Sequence, residues 1–500
     1  MRGSYSRRAA LTALLSSVAT LGFAQAPVVS KRPVARPVRV GQVTPEMRQS
    51  LAQVVANSGV AGRVGIVIAD AATGEVIDQH DADVMQPPAS VTKSVTALYA
   101  LDSLGPDYQW KTRVYANGPI LDGILDGDLI LSGGGNPNLV TDDLADLARL
   151  VAETGLREVR GAFLVYDGAL PNLDEIDDTQ LDQSGYNPAL SGLNLNFNRV
   201  YFEWKRQGAN YTVTMDARSE KYRPAVTVAR MQVVDRAAPL YSYRNGGGFD
   251  QWTVAKGGLG NGGSRWLPVR YPALYAGEVF AVLASSHGLD LKAPVEVARL
   301  PDAPVVAEHS SADLRDILRN MMKYSTNLTA EAAGLAATKA RTGQTRGLRT
   351  SALGMTHWAR GRAAITPVFA DHSGLGDTSR MTAADMVAFL TASDVQPQLF
   401  PIMKQILLKD ADDKTITDHP AVVRAKTGTL NFVSCLAGYI RTASGRDLAF
   451  AIFAADLQAR ERGKRTGEEQ PAGSITFNTK AKRLQQVLLQ RWAALNDSAD

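Results

Sequence analysis

Apolar positions are patterned differently at the ends of this chain and in its middle. Near the start, Val64 to Ala69 reads as a strand, followed by a turn at Ala71-Ala72-Thr73-Gly74 and a second strand from Glu75 to Asp78. Near the end, Val422 to Lys426, Phe432 to Ile440 and Leu448 to Ala454 read as strands, the last two joined by a turn at Thr442-Ala443-Ser444-Gly445. Between and around them the spacing predicts helices. One opens at Thr44-Pro45-Glu46 and runs to about Asn57, with Pro at its first position. Another runs from Val91 to Leu104 and is closed by Gly105 and Pro106, and an alanine-rich one covers Leu328 to Ala340. The last spans about Thr479 to Leu495, with Leu484, Val487, Leu488, Trp492 and Leu495 on one face, which predicts packing on a sheet rather than a membrane anchor. The expected fold is an α/β sandwich whose antiparallel sheet is assembled from distant segments, with helices packed against it.

The middle reads differently. From about Lys111 to Leu300 short strands follow one another: Ile124 to Leu131, Val159 to Tyr166, Arg199 to Trp204, Tyr211 to Met215 and Pro224 to Val234. Loops such as Asn245-Gly246-Gly247-Gly248 and Gly257-Gly258-Leu259-Gly260 separate them, and one helical stretch, Asp142 to Thr154, interrupts them. This predicts a β-rich insertion over residues 111–303, of one or two nested modules, within an α/β domain formed by 44–110 and 304–500. Gly133-Gly134-Gly135 lacks the lysine and spacing of a phosphate loop and reads as a turn.

Composition adds a compartment. Charged residues make up 21% and hydrophobic ones 45%, as in ordinary globular domains. The formal charge is +4, but Arg2, Arg7 and Arg8 lie in the first 24 residues, which hold no acid; without them 51 basic residues face 50 acidic ones. A nucleic-acid partner therefore gains no support from charge. Those arginines, the apolar run Ala9 to Phe23 and the Gly22-x-Ala24 site form a signal peptide over 1–24, or to 26, followed by a Pro-rich linker over 25–43. The chain is thus expected to be exported to the periplasm, with at most peripheral membrane association. Ser6-Arg7-Arg8 partly resembles a twin-arginine signal, so both export routes stay open. A single cysteine, Cys435, permits no internal disulfide and sits in an apolar run as a small hydrophobe.

Three short motifs carry the chemistry: Ser90-Val-Thr-Lys93, Ser325-Thr-Asn327 and Lys426-Thr427-Gly428-Thr429. Each alone is weak. A chain of this length holds on the order of one S-x-x-K by chance, and Arg341-Thr342-Gly343 and Arg465-Thr466-Gly467 imitate the third. Context separates them, since only Lys426 stands between two strands. Ser90 at a helix start puts Lys93 one turn on and on the same face, where a desolvated amine can take the hydroxyl proton. The helix N-terminus supplies N–H groups for a developing oxyanion. Ser325 can relay a proton and Asn327 can hold a backbone amide. Lys426, with Thr427 and Thr429, suits a carboxylate, while Gly428 allows close approach of substrate backbone.

In this order the motifs resemble the active-site signature of penicillin-binding proteins and serine β-lactamases. The 235 residues from Ser90 to Ser325 resemble the insertion of the low-molecular-mass class C, or type-4, D-alanyl-D-alanine carboxypeptidase/endopeptidases. Gly127-Asp128-Leu129 leading to Gly133-Gly134-Gly135-Asn136-Pro137, and Asp371-x-Ser373-Gly374-Leu375, are similar to that family too, with His372 where a smaller residue is usual. The resemblance implies acylation of Ser90, Lys93 as proton acceptor, and Ser325 passing a proton to the leaving D-alanine. Asn327 would hold the acyl-side amide. Lys426, Thr427 and Thr429 would bind the terminal carboxylate beside Gly428, and the N–H groups of Ser90 and Thr429 would form the oxyanion hole. Peptidoglycan stem peptides would be the substrate and β-lactam antibiotics covalent inhibitors, with no cofactor and no metal. The alternatives are a serine β-lactamase, for which no Glu-x-Leu-Asn segment follows the first motif, and a non-catalytic cell-wall or β-lactam-sensing protein of the same fold. The six histidines form no H-E-x-x-H pair and no G-x-S-x-G elbow is present, which sets aside zinc and Ser-His-Asp hydrolases.

Overall fold

The computed structural model describes residues 43–410 and 412–497, so the predicted signal peptide and nearly all of the linker lie outside the described residues. The ends of the chain meet in one six-stranded sheet, ordered Lys404–Ile406, Val422–Leu430, Val433–Arg441, Asp447–Ala455, Arg63–Asp70, Val76–His80. Every neighbouring pair is antiparallel. Register Val64↔Ala454, Ile66↔Ile452, Ile68↔Phe450 joins the first strand to the last. Alternate residues of these strands enter different cores. Ile66, Ile68, Phe450 and Ile452 pack with the helices Leu51–Ser58 and Ser474–Leu495, through Leu484, Leu488 and Trp492. Val67, Ala69, Ala449, Ala451 and Phe453 join the core on the opposite side, which surrounds the helix Thr92–Leu104. With both faces covered, the strands need no polar alternation, which is why they read as continuous apolar runs.

The structure shifts several boundaries. The first predicted helix divides into a 3-10 turn, Glu46–Arg48, and a helix that starts at Leu51. The cause is Ser50, whose hydroxyl accepts from Gln53 N while the Gln53 side chain accepts from Ser50 N, a complete capping box. The last helix begins five residues earlier than expected, at Ser474, after Gly473 in a left-handed conformation (φ +87°). Amphipathic Leu314–Tyr324, with Leu348–Ala363 and Ala383–Leu390, completes the helical layer around Thr92–Leu104.

The chain leaves this body at Trp110 and returns at Ser311, where Ser311 N donates to Trp110 O (2.9 Å) and Trp110 N to Ser311 Oγ (3.0 Å). The return therefore comes later than residue 303: the strand Val305–Ser310 pairs with Lys111–Asn117 at the edge of an inserted five-stranded sheet. That sheet runs Val295–Glu296, Phe163–Tyr166, Asp128–Gly133, Lys111–Asn117, Val305–Ser310. Three three-stranded sheets, one of them made of two-residue strands, complete the insertion. The predicted strand Ile124 to Leu131 is broken at Gly127, which packs directly on Asn117 O. A second helix, Pro272–Ser285, stands beside the predicted one, observed as Thr141–Glu153. Its buried Ala273, Tyr275, Ala276, Val279, Phe280 and Leu283 surround it on most sides, which hid the helical period. Among the described residues no helix is long and apolar enough to cross a membrane.

Candidate active site

Ser90 stands in a tight turn, Ala89–Val91, that feeds the buried helix Thr92–Leu104. Pro87-Pro88 precede it, Val91 N donates to Pro88 O (3.1 Å), and Ala89 takes a left-handed backbone (φ +47°). An L-residue held there costs about 1 kcal/mol, which the packing around it must offset. Two glycines supply that packing. A Cβ on Gly374 would lie 1.9 Å from Ala89 O, and one on Gly428 would lie 2.9 Å from Pro88 O and 3.1 Å from Ser90 N. The Ser90 turn is gripped between the loop at 374 and the strand at 428.

The helix brings Lys93 back under this turn, fully buried. Its Nζ donates to Ser90 Oγ (2.9 Å), Asn327 Oδ1 (2.7 Å) and Ser373 O (2.8 Å). Burial pushes the amine down to about 8, and the nearby carboxylates of Glu331 and Asp371 only partly restore its hold on the proton. A lysine so placed can release and recover a proton near neutral pH.

The second motif lies at a break between two helices. Leu314–Tyr324 ends on Ser325 in the left-handed conformation (φ +61°), and Asn327 opens Asn327–Thr342. The break brings Ser325 Oγ and the Asn327 amide to the Lys93 and Lys426 amines. Asn327 Nδ2 donates to Tyr186 O (2.8 Å), so a loop of the insertion reaches this residue.

Lys426 is also fully buried, and its Nζ donates to Ser325 Oγ (2.8 Å) and Thr427 O (2.7 Å). Burial holds it well below the ordinary lysine range, and the positive charges of Lys93 and Lys404 add to the effect. Two buried amines near each other favour an arriving anion. Thr427 and Thr429 are exposed, whereas Gly428 faces the Ser90 turn. Strand Lys404–Ile406 pairs with residues 423–425 only, so among the described residues the edge from Lys426 to Leu430 has a strand neighbour on one side alone. That free edge can take an extended peptide. The structure thus brings Ser90, Lys93, Ser325, Asn327, Lys426, Thr427, Gly428 and Thr429 to one place. The imitators are elsewhere: Arg341 and Thr342 end a helix, and Arg465 follows another.

Sequence reasoning missed Glu331 in the floor of the site, although the resemblance had picked out the Asp371 to Leu375 segment it holds. Glu331 lies one turn beyond Asn327 and is fully buried; its two oxygens accept from His372 N and Ser373 N, each at 2.9 Å. Asp371 accepts from Gly374 N (2.6 Å) and Gly376 N (2.5 Å). A lone acid at i+4 from Asn327 within Leu328-Thr-Ala-Glu331-Ala-Ala was the available signal.

Comparisons with known proteins agree with this geometry. The model of the D-Ala-D-Ala carboxypeptidase 3 (S13) family matches residues 47–473. The chain belongs to the S13 family. Membership makes it a D,D-peptidase of the serine type, a hydrolase. Among curated relatives, the D-alanyl-D-alanine carboxypeptidase of Actinomadura sp. (strain R39) is 29% identical over 445 residues, covering 81% of this chain and 80% of that one. The D-alanyl-D-alanine carboxypeptidase DacB of Haemophilus influenzae is 24% identical over 416 residues, covering 78% and 85%. The crystal structure of penicillin-binding protein 4 (dacB) from Haemophilus influenzae superposes with a TM-score of 0.69 at 20% identity, covering 88% of this chain and all of that one. The S13 chain therefore has the penicillin-binding-protein fold.

Proposed function

We propose that Ser90 is the nucleophile and Lys93 the base of a reaction that opens the D-Ala-D-Ala bond of peptidoglycan stem peptides and the D,D-cross-links between them. The observation that carries this reading is the buried Lys93 amine, held on the Ser90 hydroxyl at 2.9 Å by Asn327 and the Ser373 carbonyl. The substrate's terminal carboxylate would bind Lys426, Thr427 and Thr429, and its extended backbone would lie along the free strand edge. The scissile carbonyl oxygen would then rest between the N–H groups of Ser90 and Thr429. Ser90 Oγ attacks the carbonyl carbon as its proton passes to Lys93. The C–N bond breaks, and that proton returns to the departing amine through Ser325, whose hydroxyl lies beside Lys426. Water then adds to the ester as Lys93 takes its proton, and Lys93 passes that proton to Ser90 Oγ as the ester C–O bond breaks, releasing the carboxylic acid and restoring both groups.

A β-lactam presents the same amide beside a carboxylate, so it would acylate Ser90 as well. A β-lactam complex of the Haemophilus influenzae penicillin-binding protein 4, whose fold this chain shares, supports that expectation. The arginine-bearing, apolar N-terminal segment supports export to the compartment where peptidoglycan lies. Digestion of purified sacculi tests the reaction: released D-alanine reports carboxypeptidase activity, and loss of cross-linked dimers reports endopeptidase activity. Neither product, together with penicillin labelling that survives Ser90→Ala, would sink the proposal.

A further inference from the structure

Acyl transfer as described leaves the buried Glu331 without a task. Glu331 makes no ion pair among the described residues, and its two oxygens are spent on adjacent backbone N–H groups, those of His372 and Ser373. The next polar group along that backbone is the Ser373 carbonyl, which accepts from Lys93 Nζ at 2.8 Å. The stretch is held from the other side too, since Thr96 Oγ1, on the helix of Lys93, donates to His372 O (2.6 Å). A neutral amide at 331 would offer one acceptor to two donors and turn its own NH2 against the second. A carboxylate satisfies both, and its remaining effect in this dry pocket is electrostatic.

We propose that Glu331 is a positioning residue for Lys93: through the His372–Ser373 backbone it fixes the carbonyl on which the amine rests, and its charge stabilises the proton that Lys93 takes from Ser90. This rests on the roles given to Ser90 and Lys93 above.

The groups around Lys93 can be named element by element. Glu331 faces it from Asn327–Thr342, Asp371 and His372 from the 371–376 segment, and Lys426 from the strand Val422–Leu430, with Asp177 of the insertion behind Asp371. Burial, and then the Asp371 charge, push the Glu331 carboxyl up, while hydrogen bonds from Ser373 and His372 and the Lys93 cation hold it down; with both oxygens accepting from backbone N–H groups, it is the anion that fits this pocket. His372 is pushed by burial down to about 3, so it stays neutral through the assay range. Lys93, Lys426 and the carboxylates below Lys93 can shape the profile there, and of these Glu331→Gln alters only the carboxylate at 331.

The test is the pH dependence of Ser90 acylation by a fluorescent penicillin in the full-length protein, followed alongside thermal melting. Glu331→Gln removes the charge, so Lys93 holds its proton less well. The acid limb should move down by about one pH unit, and the plateau rate should fall about tenfold because Lys93 becomes a weaker base on a displaced carbonyl. Glu331→Asp keeps the charge but is too short to reach both N–H groups, so it should leave the limb in place and lower the plateau. A limb unmoved in Glu331→Gln overturns the proposal, because loss of packing alone lowers the melting temperature and the plateau without shifting the limb. If Glu331→Gln fails to fold, Glu331→Asp decides: a wild-type plateau, or a plateau lowered together with the melting temperature, overturns the positioning role, and a plateau lowered at a wild-type melting temperature on an unmoved limb supports it. Absence of labelling in wild type, or labelling that survives Ser90→Ala, overturns both this inference and the function on which it rests; a labelled wild type with an unmoved Glu331→Gln limb overturns this one alone.

Discussion

In the proposed reaction two lysines of one site do opposite work because of what each touches. Lys93 rests on a hydroxyl, an amide oxygen and a carbonyl, all acceptors, so it is oriented to exchange a proton with Ser90. Burial places its proton release at about 8. A base must be neutral to act, so acylation should rise about tenfold per pH unit below that value and level off above it. A profile flat from pH 6 to 9 would remove Lys93 from the role of base. Lys426 is suited instead to wait for charge: held well below its ordinary range by burial and by the cations near it, it would become a full cation on the arrival of a carboxylate. Lys426→Gln should therefore slow acylation by a penicillin with a free carboxylate about 10–100-fold, the worth of a charge-assisted hydrogen bond. The methyl ester of the same compound should lose far less, and equal losses would contradict the carboxylate role. These residues were legible in the chain because each motif is contiguous and the chemistry follows from residue type. Glu331 was not, and the segment from Asp371 to Leu375 was legible only as a family resemblance, because both reach Lys93 only through tertiary packing.

At the scale of elements, glycines decide how closely the layers approach. Gly334 lies on the same helix as Asn327 and Glu331, and a Cβ there would stand 2.1 Å from His372 Cγ. The imidazole fills that notch, its Nε2 sharing a hydrogen bond with Ser351 Oγ (2.8 Å) and its ring stacked with Tyr99 (6.3 Å between centroids, 10°). Gly334→Ala should cost about 1–3 kcal/mol by overpacking. His372→Ala makes room for the new methyl, so the double variant should be more stable than the sum of the two single losses, a coupling that a melting or denaturant cycle measures. Strict additivity would mean that the ring and the glycine do not share the notch. The same reasoning explains what the sequence could and could not tell about elements. Both ends of the chain were legible because strands such as Val433–Arg441 and Asp447–Ala455 are continuously apolar and bounded by turn residues. Pro272–Ser285 was not, because a helix buried on most sides loses its polar face and with it the 3.6-residue period.

Across the whole molecule, the insertion is tied to the catalytic body at its mouth as well as at its neck. Leu170 and Leu190 of the insertion enter the core around the Thr92–Leu104 helix, and Lys339 Nζ donates to Ala169 O (2.9 Å). Nearer the site, Glu469 accepts from Gln183 Nε2 (2.9 Å) and Arg265 (2.6 Å), which steadies the loop whose Tyr186 carbonyl takes the Asn327 amide. A substrate that needs this amide must displace Tyr186 first, so the hold on the loop sets part of the barrier to binding. Glu469 is itself exposed, and an exposed ion pair contributes only about 0–1 kcal/mol. Glu469→Ala should therefore leave the melting temperature within about 2 °C of wild type. It should also raise amide hydrogen exchange over residues 178–187 and speed acylation by a small penicillin a few-fold, because the Asn327 amide is released more often. Faster exchange without faster acylation would show that the Tyr186 contact yields to the ligand without cost, and that the loop only roofs the site.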